Sequence, residues 1–192
     1  MKFLKYFLTL FVIILIPTYL HYYGPQNFLW LSDIGLFLTV LALWTHSRLL
    51  MSMAAVGVLV TELIWNIDYF GELLFNVNII TLSDYMFDNS YPMVLRAISL
   101  FHVFVPVIWI WYLIKYGYDK RAFGYFTILY WIVLIATYLC TDPDKNINWV
   151  FLPLESGWQI ASLTWVIFLA VFFPLCIFLP AHYLFKKVFK AA

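Results

Sequence analysis

The sequence predicts an all-α fold: a polytopic transmembrane helix bundle of six spans, with both termini on the cytoplasmic side. Of the 192 residues, 65% are apolar and 11% are charged, whereas soluble domains carry about 25% charged residues. Six apolar stretches each approach the roughly 20 residues that a helix needs to cross a bilayer. The length accommodates a single membrane domain over residues 1–192.

The predicted spans follow one another with short polar segments between most of them. They cover residues 4–22, 28–46, 49–67, 93–115, 122–140 and 160–185. No small-residue cleavage pattern follows the first stretch, so we expect a retained span and not a signal peptide. Pro174 and Pro180 predict kinks in the last span.

The distribution of Lys and Arg predicts the orientation. Arg96 and Lys145 fall on one side of the six spans. The other nine of the 11 basic residues fall on the opposite side: Lys2, Lys5, Arg48, Lys115, Lys120, Arg121, Lys186, Lys187 and Lys190. Because cytoplasmic segments carry the excess of Lys and Arg, this second side is predicted to be cytoplasmic.

Two long connectors, residues 68–92 and 141–159, lie on the predicted outer side. Both are acidic and both contain apolar stretches, so we expect them to pack over the outer end of the bundle. Aromatic residues near the outer boundary are typical of an interfacial belt: Trp30, Trp65, Tyr69, Tyr91, Trp149 and Trp158. The two cysteines, Cys140 and Cys176, are expected to be small buried residues and not a disulfide or metal ligands.

Polar residues inside the spans are the strongest indication of function, because a charge at mid-bilayer costs about 2.5–3.5 kcal/mol. They come from the second, third and fourth spans: Ser32, Asp33, Glu62, Asn66, Arg96 and His102. At a rise of about 1.5 Å per residue, all of them fall in the outer half of the membrane. A polar pocket that opens outward is therefore predicted.

Three interpretations of this cluster remain open. Ion pairing of Arg96 with Asp33 or Glu62 would hold the helices together without any activity. Alternatively, Asp33, Glu62 and His102 could form the protonatable relay of a transporter. In the third interpretation, Ser32 is a nucleophile, His102 its base and Glu62 the orienting acid. Asn66, Arg96 and Asp33 would then bind the substrate.

Short segments resemble the YwaF-like integral membrane family. Leu29-Trp30-Leu31-Ser32-Asp33-Ile34 is similar to its L-H-L-C-D segment, and Ser99-Leu100-Phe101-His102-Val103 to its F-F-x-x-H segment. Thr141-Asp142-Pro143 with Asn146-Ile147-Asn148 resembles its polar connector. Relatives of that family include lipid acyltransferases and, more remotely, the androgen-induced-gene/ADTRP intramembrane hydrolases. The family's Cys is Ser32 here, which keeps a hydroxyl nucleophile possible. Its His is Trp30 here, which removes a polar group from the segment.

The leading hypothesis is a lipid- or amphiphile-active enzyme of the acyl hydrolase or acyltransferase type in a bacterial-type inner membrane. The alternatives are a proton-coupled transporter or substrate-binding subunit, and a non-catalytic subunit with a membrane-protein partner. No metal-binding or cofactor motif is found, and no basic run indicates nucleic-acid binding. Expected partners are the lipid bilayer and a lipid or amphiphile substrate.

Overall fold

The computed structural model describes residues 2–77, 79–151 and 162–190. Within these ranges the protein is helical and has no strand, which confirms the predicted all-α class. The α-helices are α1 (Lys2–Tyr22), α2 (Leu31–Thr45), α3 (Arg48–Phe75), α4 (Met93–Ser99), α5 (Phe101–Tyr116), α6 (Ala122–Cys140), α7 (Ser162–Phe172) and α8 (Leu179–Val188). Short 3₁₀ turns occupy Pro25–Leu29, Asp84–Met86, Pro143–Lys145 and Ile147–Trp149.

Five helical segments of the described chain are long and apolar enough to cross a membrane. They are α1, α3, α4 with α5, α6, and α7 with α8. The helix α2 is apolar but has 15 residues, shorter than the predicted span 28–46. Large apolar side chains remain exposed around the outside of the bundle, such as Ile114, Leu139 and Leu163. This surface is typical of a multi-pass membrane protein and not of a monomer in water.

The central helix is α3, which packs against α2, α5 and α6. Ser47 caps its start by accepting a hydrogen bond from the Leu50 amide at 3.2 Å. Its end at Phe75 lies eight residues beyond the predicted span end, and Asn76 closes it with a φ of 55°. Small residues in its middle allow close helix approach, and a Cβ at Gly57 would overlap the ring of Phe126 on α6.

The predicted fourth span is interrupted at Leu100, which separates α4 from α5. The predicted kink at Pro174 coincides with a π-helical stretch, Phe173–Phe178. Proline has no amide hydrogen, so Pro174 leaves the Ala170 carbonyl without its usual intrahelical donor. The indole of Trp131 on α6 donates to this carbonyl at 2.9 Å. Side-chain donation of this kind satisfies backbone groups that a proline frees inside an apolar helix bundle.

Both cysteines are free and exposed, so the expectation that they are buried is wrong. Cys140 ends α6, and Cys176 lies in the π-helical stretch.

Candidate functional site

A cavity of about 600 Å³ opens at the end of the bundle that carries the two long connectors. Its walls come from the last turn of α1, the first turn of α2, the C-terminal part of α3, the α4–α5 junction and both connectors. Ser32, Asp33, Glu62 and His102 all line it. Residues 152–161, which include Trp158 and the start of the predicted sixth span, lie outside the described residues.

A short polar contact in the cavity wall joins α3 to α5. The Glu62 carboxylate oxygen Oε2 lies 2.7 Å from His102 Nδ1. Glu62 is buried, and 14% of the His102 side chain is exposed. A carboxylate on Nδ1 accepts the proton of that nitrogen and leaves the other ring nitrogen, Nε2, with a free lone pair. The geometry therefore produces an oriented base whose Nε2 makes no hydrogen bond to a described residue.

Aromatic rings hold the imidazole of His102 in place. Its ring stacks on Trp65 with centroids 4.7 Å apart, and on Phe101 with centroids 4.1 Å apart. Trp65 lies three residues after Glu62 on the same face of α3, so one helix supplies both the carboxylate and the stacking partner. These contacts restrict ring rotation, which keeps Nδ1 aligned with Glu62.

Asn66 has a different position from the one predicted, since it does not line the cavity. Its amide donates to the carbonyl oxygens of Glu62 and His102, both at 2.7 Å. Pro106 lies four residues after His102 on α5 and has no amide hydrogen for that carbonyl. Asn66 therefore replaces the missing intrahelical donor and ties α3 to α5 beside the Glu62–His102 pair.

Asn66→Leu is expected to lower the free energy of unfolding by about 1–3 kcal/mol, because the His102 carbonyl would be left unpaired. The substitution should also change the environment of the His102 ring, because Asn66 no longer ties this residue to α3. Trp131→Phe is the matched control, since it removes the side-chain donor of the Ala170 carbonyl far from the cavity. Thermal unfolding in detergent should show destabilisation in both variants, whereas a change in the NMR chemical shifts of the His102 ring should be confined to Asn66→Leu. Unchanged stability in Asn66→Leu would contradict this role.

Ser32 lies in the first turn of α2 and faces the cavity, and its hydroxyl makes no hydrogen bond within the described part of the chain. The Asn148 side chain fixes the position of this turn. Its oxygen accepts from the Leu31 amide at 3.1 Å, and its amide donates to the Leu29 carbonyl at 2.7 Å. The amide hydrogens of Ser32 and Asp33 fall at the helix start, where no intrahelical carbonyl can accept them.

Asp33 is almost fully buried in the cavity wall. Its Oδ2 accepts a hydrogen bond from the Asn27 amide at 3.3 Å. Its other oxygen, Oδ1, is buried and has no partner among the described residues. The carboxyl group is therefore incompletely satisfied by the protein itself.

Arg96 lies apart from the cavity, and among the described residues it forms no ion pair with Asp33 or Glu62. Its guanidinium donates to the Met86 carbonyl at 3.4 Å, and its Nε is buried without a partner. Arg96 therefore supports the first connector. The predicted role in binding substrate, and the predicted neutralisation of the two acids, do not fit this position.

The described parts of both connectors pack onto the end of the bundle, as predicted. Asp68 on α3 accepts hydrogen bonds from the amides of Ile79, Ile80 and Ser83 at 2.7–3.2 Å, which folds the first connector over the helix end. The second connector is anchored by Asn148 and by Gln26, whose side-chain oxygen accepts from the Asp142 amide at 3.1 Å. Both connectors therefore contribute walls to the cavity.

Several residues that line the cavity could not be recognised as cavity residues from the sequence. Four residues of the predicted interfacial belt, Trp30, Trp65, Tyr91 and Trp149, line the cavity. Tyr85 also lines it from the first connector, and burial raises the pKa of its hydroxyl, which keeps it neutral. Hydropathy indicated that these aromatic residues lie near the outer boundary, but it carried no information on the direction in which they point.

Within the described residues, no group of three or more His, Cys, Asp or Glu side chains is arranged to hold a metal ion. The fold and cavity together define a helical protein of the multi-pass membrane type, with a polar cavity at one end. No protein-family model, curated protein or solved structure matches the chain.

Proposed function

We propose that the protein is an intramembrane enzyme of the acyl hydrolase or acyltransferase type, acting on a lipid or amphiphile. The observation that carries this proposal is the 2.7 Å contact between Glu62 and His102 at the wall of a cavity that Ser32 also lines. A base oriented by a carboxylate, together with an unbonded hydroxyl, is the set of groups that acyl transfer needs.

In the proposed reaction, His102 Nε2 takes the hydroxyl proton of Ser32 while the serine oxygen attacks the carbonyl carbon of an ester. The bond to the leaving alcohol then breaks, and the alcohol takes the proton from His102. Water or a second alcohol next attacks the acyl-serine, again with His102 removing its proton, and Ser32 is regenerated. Glu62 stabilises the imidazolium that forms in each half-reaction.

The first turn of α2 supplies donors for the oxyanion. The amide hydrogens of Ser32 and Asp33 have no intrahelical acceptor, and the helix dipole favours negative charge at this end. Preorganised donors of this kind are often the largest single contribution to acyl-transfer catalysis. Arg96 and Asn66, predicted from the sequence to bind the substrate, have other partners.

A fluorophosphonate probe, which reacts covalently with activated serines, tests the proposal. The purified protein is expected to be labelled, and Ser32→Ala is expected to abolish labelling without loss of thermal stability. Ser99→Ala is the matched control, because Ser99 also lines the cavity but its hydroxyl is hydrogen-bonded to Tyr19 at 3.3 Å. The proposal would be refuted if the unmodified protein were not labelled, or if the Ser32→Ala protein were still labelled. A proton-coupled transporter or a non-catalytic subunit would not be labelled at Ser32.

We further propose six spans with both termini in the cytoplasm, in a bacterial-type inner membrane. In this arrangement α2 crosses the membrane in addition to the five longer segments. At about 1.5 Å per residue its 15 residues extend roughly 22 Å. Since a hydrocarbon core is about 30 Å thick, α2 would begin below the outer surface, where the cavity lies. The unequal distribution of Lys and Arg supports the orientation. The YwaF-like resemblance stays a prediction.

A reporter fused after Lys190 is expected to read cytoplasmic, and one inserted near Asn76, just after α3, is expected to read external. The two positions lie on opposite sides in the six-span arrangement because three further spans separate them. The reverse result at either position would exclude this topology.

A further inference from the structure

The deep part of the cavity holds two buried acids, only one of which has a strong partner. Asp33 is 2% exposed and Glu62 is 3% exposed. Glu62 is paired with His102, whereas Asp33 has one amide contact at 3.3 Å and one oxygen without a partner. A buried carboxyl oxygen that lacks a hydrogen bond is unfavourable unless a ligand supplies the donor. Asp33 is therefore placed to receive a donor from within the cavity.

Aromatic side chains form much of the remaining wall. Six of them come from α1, from the start of α2 and from both connectors: Tyr19, Tyr23, Trp30, Tyr85, Tyr91 and Trp149. The faces of Trp and Tyr rings carry negative electrostatic potential and attract cations. Tyr23 and Tyr85 add no charge of their own, since burial raises the pKa of Tyr23 to about 12 and also raises the pKa of Tyr85.

Basic groups are scarce in this cavity. Among the described lining residues, Lys145 is the one Lys or Arg, and it is exposed on the second connector beside Asp144. The predicted cation, Arg96, is not part of the wall. An anionic head group would therefore be repelled by two buried acids, with only the exposed Lys145 to offset them. A cationic head group would be attracted both by the acids and by the faces of the aromatic rings.

We propose that the cavity binds the ammonium head group of an amphiphilic substrate, with an ammonium N–H donated to Asp33 Oδ1 and the aromatic faces surrounding the charge. This inference rests on the proposed function, because it names the substrate class for the same site. Asp33 is a specificity residue in this arrangement: it holds the head group, while the ester of the same molecule meets Ser32 one residue earlier on α2.

The test measures binding and does not depend on turnover. Dodecylammonium is compared with the uncharged N-dodecylacetamide in micelles of a neutral detergent, using the Ser32→Ala protein and tryptophan fluorescence as the signal. We expect dodecylammonium to bind at least about tenfold more tightly, because it supplies both a charge-assisted hydrogen bond and a cation for the rings. Equal affinities would overturn the proposal.

Asp33→Asn in the same background is expected to reduce this preference to about threefold or less, since it removes the charge and keeps the shape. Asp144→Asn, which removes an exposed acid at the cavity rim, is the matched control and should retain the preference. A preference that survives Asp33→Asn would exclude Asp33 as the ligand. If Asp33→Asn does not fold, the comparison of the two amphiphiles in the Ser32→Ala protein decides the question.

The two proposals fail separately. Loss of fluorophosphonate labelling at Ser32 concerns the acyl chemistry and leaves the binding comparison unaffected. Equal binding of the two amphiphiles refutes the ammonium site while labelling of Ser32 still supports the enzyme.

Discussion

His102→Ala is expected to reduce the rate of Ser32 acylation by a factor of about 10²–10⁴, the usual contribution of a general base. The loss follows because the hydroxyl of Ser32 then has no acceptor for its proton while its oxygen attacks. The rate of labelling by the fluorophosphonate probe at fixed pH measures the effect, since it needs no knowledge of the natural substrate. An unchanged rate would mean that His102 is not the base.

Glu62→Gln is expected to have a smaller effect in the same direction. The glutamine side-chain oxygen can still accept the proton of His102 Nδ1, so the variant removes mainly the charge that stabilises the imidazolium. The matched control is His182→Ala, which removes a histidine near the opposite end of the bundle, where it contacts Tyr118 at 2.9 Å. Its labelling rate should equal that of the unmodified protein. A larger loss in Glu62→Gln than in His102→Ala would contradict the assigned roles.

Gly57→Ala is expected to lower the free energy of unfolding by about 2–3 kcal/mol. The new Cβ would overlap the ring of Phe126. That ring is fully buried and packs edge-on against Phe178 at 5.2 Å, so it has no room to move away. Helices α3 and α6 would have to separate, which weakens packing around the centre of the bundle. Thermal unfolding in detergent measures the change.

Gly124→Ala on α6 is the matched control for this substitution. A Cβ at Gly124 meets no atom within 4 Å, so only the helix propensity changes, and alanine is favoured over glycine by about 1 kcal/mol. The two variants should therefore shift the free energy of unfolding in opposite directions. Phe126→Leu in the Gly57→Ala protein should restore part of the loss, because a smaller side chain leaves space for the methyl group. If the two alanine substitutions changed the free energy of unfolding equally, α3 and α6 would not approach each other as closely as described.

Asn66 and Arg96 show where inference from the sequence stopped. Both were predicted to lie in the pocket because they fall in the same, predicted outer half of the membrane as Glu62 and His102. In the structure Asn66 instead donates a hydrogen bond to the His102 carbonyl, which Pro106 leaves without an intrahelical donor. Arg96 donates to the Met86 carbonyl. The spacing of Asn66 and Pro106 could not reveal this pairing, because they belong to different helices and meet only after α3 packs on α5.

The sequence by itself determined the properties that depend on position along a helix axis. Apolar length predicted most of the helices, and depth predicted that Ser32, Asp33, Glu62 and His102 come to one end of the bundle. Only the tertiary structure decided how each helix is rotated about its axis. That rotation depends on packing, such as the contact of Gly57 with Phe126, and it turned Glu62 toward His102 and Arg96 away from the cavity. Packing of the connecting segments onto the bundle brought Trp30 and Trp149 into the cavity wall. Hydropathy and charge measure depth in the membrane, whereas the direction of a side chain is set by the neighbouring helices.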